Sequence, residues 1–383
     1  MSLFDKSIFN QEVVTTSLEI PTKHCNTIRI LLKNQLINQD IKKWNPIQKS
    51  PINGHETSHK IIVLCMNFDP DNVPLNVTEF YESHDIPLRF IPFKFIKTFY
   101  DFTTHEILKR LLPPTVTIPT SFETVGHIAH FNLIEDQLPY KHLIGQVFLE
   151  KLNKQIRTIV NKTGNIETEF RTFPMEILAG EQNTVVETLE CGARLKFNYA
   201  TVYWNSRLQY EHKRIIDLLK PGDIVCDMMC GIGPFAIPAA LKGCYVYAND
   251  LNPESYKYLV ENIKKNKVQK FVKPTNKCGR IFMRELMTNL KFQCSHIIMN
   301  LPATAIEFLD VFQGGWKYES TPPLISCYCF SRELDQFEND IIHRVEEVLH
   351  VKLDLNETHV QDVRDVGPNK KMACITFRLP RSS

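Results

Sequence analysis

The chain has 383 residues, of which 43% are hydrophobic and 23% charged, and its net charge is +2. That length calls for more than one core, and the composition is that of an ordinary globular protein rather than a disordered one. With so even a charge balance, any nucleic-acid site has to be a local patch.

The most apolar window, Cys226 to Ala248, is broken by Gly231, Gly233, Pro234, Pro238 and Lys242, so no membrane-spanning helix is expected. The opening MSLFDKSIFNQEVV has no apolar stretch and no early arginine, which argues against a secretory leader or a mitochondrial presequence. Eleven cysteines are scattered without a pair of CxxC motifs. They are expected to be buried, reduced thiols of an intracellular protein, and no metal site is expected.

Residues 1–115 read as a mixed module. His59–Phe68 and Arg89–Ile96 are strand-like, and the turn cluster DPDNVP lies between them. Pro113, Pro114 and Pro119 mark a linker into a second module, 116–190. There Ile144, Val147, Phe148, Leu152, Ile156, Ile159 and Val160 follow helical spacing, which predicts one helix ended by Lys162-Thr-Gly-Asn165. Glu169–Leu178 and Thr184–Leu189 then read as strands. Cys191-Gly192 turns into a further strand over Arg194–Trp204.

The third module, 191–383, changes to alternating helix and strand. Ser206-Arg-Leu-Gln209 fits a capping box that opens a helix to about Leu219. Ile224–Met229 is a strand, followed by a glycine turn and a helix from about Pro234. Tyr245–Asn249 and His296–Met299 are strands, and Asn252–Asn266 is a helix. Glu333–Val348 is amphipathic, and Lys371–Leu379 reads as a closing strand. Strands separated by helices imply a doubly wound parallel sheet.

Three motifs carry chemistry. In Asp227-Met-Met-Cys-Gly231-Ile-Gly233-Pro-Phe-Ala236, glycines between a strand and a helix let backbone approach a ligand, and the helix start offers free N–H groups. Asp250 ends the next strand, nineteen residues after Gly231, where an acid suits ribose hydroxyls. This pattern fits either S-adenosylmethionine or a dinucleotide. Asn300-Leu-Pro302-Ala follows the strand HIIM, and a short amide before a rigid turn can hold a planar base edge as well as simply ending a strand. Glu211 sits one turn into a helix, where Arg207 and Arg214 can pair with it, and Arg171 reads as a surface cation. A basic stretch from Lys264 to Lys291 contains one acid, Glu285, and suits either phosphate contacts or a solvated surface.

Several segments together resemble the eukaryotic and archaeal tRNA (guanine-37 N1)-methyltransferases. They are FRTFPMEILAGEQNT (170–184), VYWNSRLQYEHKRI (202–215), DMMCGIGPFAIPAALKGCYVYANDLNPESYKYL (227–259), IIMNLPATAIEFLD (297–310) and VRDVGPNKKMACITF (363–377), with SFETVGHIAHFNL (121–133) beside them. The resemblance covers about residue 120 to the C-terminus. It implies an α/β chain: a Rossmann-like class I methyltransferase domain at the C-terminus, preceded by a small middle α+β domain and an N-terminal tRNA-reading domain.

The implied cofactor is S-adenosylmethionine, and the implied partner is a tRNA with guanosine at position 37. The protein is expected to be a monomer off the membrane, in cytoplasm, nucleus or mitochondrial matrix. The paralogous aminocarboxypropyl transferase of wybutosine synthesis is the alternative. By motif, Glu211 falls at the general base, Arg171 at the catalytic arginine and Asn300 at the amide that holds the guanine. Asn205, Arg207 and Pro302 fall on the substrate side. Asp227, Gly231, Gly233, Asp250, Leu251, Asn252, Asn276, Cys278, Gly279 and Asn300 fall on the cofactor side. Family members usually carry Asn-x-Asp-Gly after the third strand; here Cys278 replaces the acid.

Overall fold

The computed structural model describes residues 4–41, 44–55, 57–152, 154–164, 174–288 and 293–382. Contacts divide the chain into two units, residues 1–120 with 133–153, and residues 121–132 with 154–383.

The first unit is built on a four-stranded sheet. Its strands β1 (Gln11–Pro21), β2 (Ile47–Lys49), β3 (His59–Val63) and β4 (Phe90–Lys97) lie in the order β2-β3-β1-β4, all antiparallel. Helices α1 (Cys25–Leu31) and α2 (Leu75–Ser83) bury Ile28, Val77 and Tyr81 against Leu18, Ile20 and Ile62 of the sheet. Helices α3 (Thr104–Leu111) and α4 (Lys141–Lys151) pack on each other in the same unit.

The helix predicted to run through Val160 stops at Lys151. Thr158–Lys162 is instead a strand, buried from Thr158 to Asn161. Helical spacing of apolar residues cannot be told from a short strand buried on both faces. The β-branched run Thr158-Ile159-Val160 favours the strand.

The second unit starts with a small sheet of β5 (Glu123–Val125), β6 (Ile128–Phe131), β7 (Thr158–Lys162) and β8 (Met175–Gly180), in that order, with β6 and β7 parallel. Strands β9 (Val185–Glu190) and β10 (Ala193–Asn198) form a hairpin. Its two-residue turn, Cys191-Gly192, has both φ angles positive (48° and 79°), which suits the twist of the paired strands. The strand predicted to reach Trp204 ends at Asn198, because Thr201 and Val202 turn back to donate to the Asn198 carbonyl.

The main sheet has seven strands: β11 (Ile224–Asp227), β12 (Tyr245–Asn249), β13 (Val272–Thr275), β14 (His296–Met299), β15 (Leu324–Ser331), β16 (Thr358–Gly367) and β17 (Lys370–Arg378). They lie in the order β13-β12-β11-β14-β15-β17-β16, parallel except for β17, which runs antiparallel to both of its neighbours.

Alternation along each strand separates two cores. Val225, Ile298, Tyr328 and Cys374 join the layer of α5 (Gln209–Leu218), α6 (Ala236–Leu241) and α7 (Pro253–Lys265). Cys226, Ile297, Cys327 and Ile375 join the layer of α8 (Gly279–Met287) and α9 (Phe337–Leu349). The predicted doubly wound sheet is therefore present. All eleven cysteines are free, nine of them buried. Among the described residues no helix is long and apolar enough to cross a membrane.

Candidate functional site

Strand order reverses at β11, which lies between β12 and β14. Loops leaving the carboxyl ends of these three strands therefore part and leave a crevice, the usual ligand site of an open α/β sheet. A cavity occupies it. The loop after β11 contributes Met229 to Ile232 and Pro234, the loop after β12 contributes Asp250 to Asn252, and the turn after β14 contributes Asn300 to Pro302. Tyr203, Trp204, Asn205, Leu208 and His212 close one side, and Phe330, Val366 and Met372 add to the wall from the far strands.

The glycine turn is shaped by backbone demands. Gly231 has φ +55° and nothing within 4 Å of where a Cβ would stand, so its main chain is bare toward ligand. Gly233 has φ +98°, and a Cβ there would stand 2.9 Å from the Ile237 side chain, so α6 can approach only a glycine. Asp250 fixes the turn: one carboxylate oxygen accepts from Gly231 N at 2.7 Å and the other from Asn252 N at 2.9 Å. Burial pushes its carboxyl up to about 6, against the pull of those two N–H groups. Asn252 in turn caps α7 by accepting from Glu254 N at 3.0 Å, and donates to the Thr201 carbonyl at 3.1 Å.

Asp227 does not line the cavity. It is fully buried at the root of the turn, and burial, then the charge of Asp250, raises its carboxyl far above the usual range against the pull of the Met229 N–H. Beside it Asn249, also fully buried, donates to the carbonyls of Met228 and Lys277 and so ties three loops together. Asn276, Cys278 and Gly279 are likewise off the cavity wall. Asn276 holds the next loop by donating to the carbonyls of Asp250 (2.7 Å) and Leu251 (3.0 Å), and Gly279 starts α8.

Asn300 faces the crevice with its Oδ1 buried and without a hydrogen-bond partner among the described residues. The turn that aims it is held by Ala305 N on the Leu301 carbonyl (2.8 Å) and Phe330 N on the Pro302 carbonyl (3.0 Å). A fixed amide with an unused acceptor is an invitation to a donor on a ligand.

The approach to α5 differs from the predicted capping box. A 3-10 turn, Ser206–Leu208, leads into the helix, and Asn205, not Ser206, caps that turn: its side chain accepts from Arg207 N, and Arg364 also donates to it. Arg207 pairs with Glu123 rather than with Glu211. Glu211 is 8% exposed and lies behind the wall rather than on it. The Arg214 fork donates to both of its oxygens (2.8 and 2.6 Å), and the Tyr328 hydroxyl donates to one of them at 2.8 Å. Those bonds hold the Arg214 guanidinium above its ordinary value. Arg171 lies outside the described residues.

The basic stretch is partly consumed: Lys265 pairs with Glu187, Lys277 with Glu285, and Arg280 with Asp310. Sequence reading missed Asn249, His212, Tyr328 and Phe330.

The TRM5/TYW2 methyltransferase domain family matches residues 184–353, and the TYW2 N-terminal domain family matches residues 104–184. A tRNA (guanine(37)-N(1))-methyltransferase of Phytophthora infestans is 46% identical over 99% of this chain and 93% of its own. The crystal structure of wild-type Trm5b from Pyrococcus abyssi superposes with a TM-score of 0.65 at 26% identity, over 95% of this chain and 99% of that one. The complex of aTrm5 with tRNALeu has the same fold, with a TM-score of 0.68 at 21% identity over 95% of this chain and 99% of that one.

Proposed function

This chain belongs to the TRM5/TYW2 methyltransferase family, and we propose that it transfers the methyl group of S-adenosylmethionine to N1 of guanosine 37 in tRNA, acting as a monomer. The observation that carries this reading is near full-length identity of 46% to a relative of that activity. The crevice fits the cofactor on its own terms: bare backbone at Gly231 and an acceptor-only Asp250 match a ribose with two hydroxyl donors.

When bound, the cofactor supplies an electrophilic sulfonium methyl. The residues of the chain do the rest. Guanine N1 carries a proton at neutral pH, and Glu211 accepts it, so the N1 lone pair becomes available. Glu211 is gripped by Arg214 and Tyr328, and reaching N1 requires it to exchange one of those bonds for the base. Arg171 stabilises charge that develops on O6. Asn300 holds the purine edge in line, and Pro302 and the α5 entry at Asn205 and Arg207 flank the base. Of the three modules, 1–115 reads tRNA shape and 191–383 performs the transfer.

The match of residues 104–184 to the TYW2 N-terminal domain keeps the aminocarboxypropyl reading as the alternative, with less support than the relatives named for guanine-37 methylation give the first. Incubation with unmodified tRNA and cofactor labelled either on the methyl or on the carboxyl carbon separates the two. Methyl label at G37, located by mass mapping, is the expected result; carboxyl label there would reverse the assignment.

Asp250 makes cofactor binding pH-dependent. In the folded chain it keeps its proton up to about pH 6, whereas the unfolded chain releases it near 3.8. Its contribution to stability is therefore present below the lower value and is lost as pH rises through the upper one. Ribose hydroxyls donate to the ionised form, so affinity for S-adenosylhomocysteine should rise with pH through about 6, by about tenfold between pH 5 and 7. Calorimetric titration across that range checks this. Asp250→Asn should bind weakly with a flat profile, and a flat profile in the unaltered protein would remove Asp250 from cofactor binding.

A further inference from the structure

Glu211 is held by two partners of different kinds. Arg214 donates Nε–H to Oε2 at 2.8 Å and Nη2–H to Oε1 at 2.6 Å, and the Tyr328 hydroxyl donates to Oε1 at 2.8 Å. The cavity wall begins one rung further along the sheet. Phe330 and Met372, which line it, stand opposite each other on β15 and β17, and Tyr328 and Cys374 are the next such pair on the same face. Two residues of strand are about 7 Å. To meet a base in the cavity, Glu211 has to release one of its bonds.

The bond to Tyr328 is the costlier to break. The side chain is fully buried, with the Phe235 ring at 6.0 Å, and among the described residues Glu211 is the only oxygen that its hydroxyl bonds. The Cys374 thiol beside it is a weak acceptor. An O–H left unpaired there would carry its full desolvation cost. Burial above all raises that hydroxyl far above its ordinary value, so it stays protonated and remains a donor. The Arg214 side chain is 28% exposed and can turn to water with its charge solvated.

The proton transfer itself selects the same bond. As the guanine N1–H bond breaks, an O–H bond forms on Glu211, and the N1 lone pair is freed for the methyl carbon. Oε2 is the oxygen held by Arg214 alone, and it becomes available once Arg214 turns away. Oε1 is then the carbonyl oxygen of a neutral acid, which still accepts from Tyr328. One hydrogen bond therefore serves Glu211 before and after it takes the proton.

We infer that Tyr328 is the positioning residue of Glu211: it keeps Oε1 while Arg214 lets go, and so aims Oε2 at guanine N1. This rests on Glu211 accepting the N1 proton, as proposed above.

Single-turnover methylation by Tyr328→Phe tests it, since that change removes one oxygen and keeps the ring. The rate should fall about 10-fold or more, the worth of a hydrogen bond to a charged group. KM for tRNA and affinity for S-adenosylhomocysteine should stay within about twofold, as for a group that acts on the chemical step. In Glu211→Gln the carboxylate to be aimed is gone, so adding Tyr328→Phe should slow that variant by no more than about a further twofold. Arg214→Gln should cost less than Tyr328→Phe. An unaltered rate in Tyr328→Phe, multiplied losses in the double variant, or a larger loss in Arg214→Gln overturns the inference and leaves Glu211 as the base. If a thermal melt shows that Tyr328→Phe does not fold, Arg214→Gln decides: a loss below about fivefold supports the inference and a larger one overturns it. If Glu211→Gln transfers methyl at the unaltered rate, the base assignment itself fails and this inference with it.

Discussion

Glu211→Gln is expected to lower the single-turnover rate of methylation by about 10²-fold or more, the usual contribution of a positioned general base. The amide is nearly isosteric, and its oxygen can still accept from Tyr328, so the buried contact that Glu211 makes with β15 survives in part. What is lost is proton acceptance and the ion pair with Arg214. Arg214 is the more exposed partner, 28% against 8%, and can turn toward water, so folding should suffer less than chemistry. Rapid-quench assays with saturating enzyme isolate the chemical step, and a thermal melt reports the fold. A variant that transfers methyl at the unaltered rate would take Glu211 out of the mechanism. Its bonds to Arg214 and Tyr328 would then be structural.

Asn300→Ala should lower kcat/KM for tRNA bearing guanosine 37 by about 10²-fold, comparable to the loss of one preorganised polar group from an active site. The reason lies in an Oδ1 that has no partner among the described residues, on a turn held by two backbone hydrogen bonds. An amide kept rigid and unsatisfied in the free protein needs no reorganisation to meet the base. Asn300→Asp keeps the acceptor, loses the donor and adds a charge, so it should be impaired as strongly. S-adenosylhomocysteine affinity measured on the same variants separates base holding from cofactor holding. A variant defective in cofactor binding alone would reassign Asn300 to the cofactor side.

Much of the site was legible along the chain because its chemistry is local. Gly231 and Gly233 take backbone angles that follow from residue type, and Asp250 and Asn300 sit at strand ends set by apolar runs such as Tyr245–Asn249 and His296–Met299. The misread helix through Val160 shows where that legibility stops. Periodicity reports burial, and a short strand covered on both faces buries the same residues as a helix. The capping box failed for a related reason: Asn205 offers a better-placed acceptor one residue earlier.

By itself the sequence determined the doubly wound sheet, the glycine turn, the acid after β12 and the amide after β14, since strand alternation and turn chemistry act between neighbours. Only the tertiary structure decided which groups meet. Tyr328 reaches Glu211 across 117 residues because alternation along β15 turns it toward the α5 layer, while Cys327 and Cys329 face the other core. Glu190 finds His212 because the end of a hairpin strand packs on α5. Such pairings depend on which faces of distant elements share a core, and no local spacing encodes that.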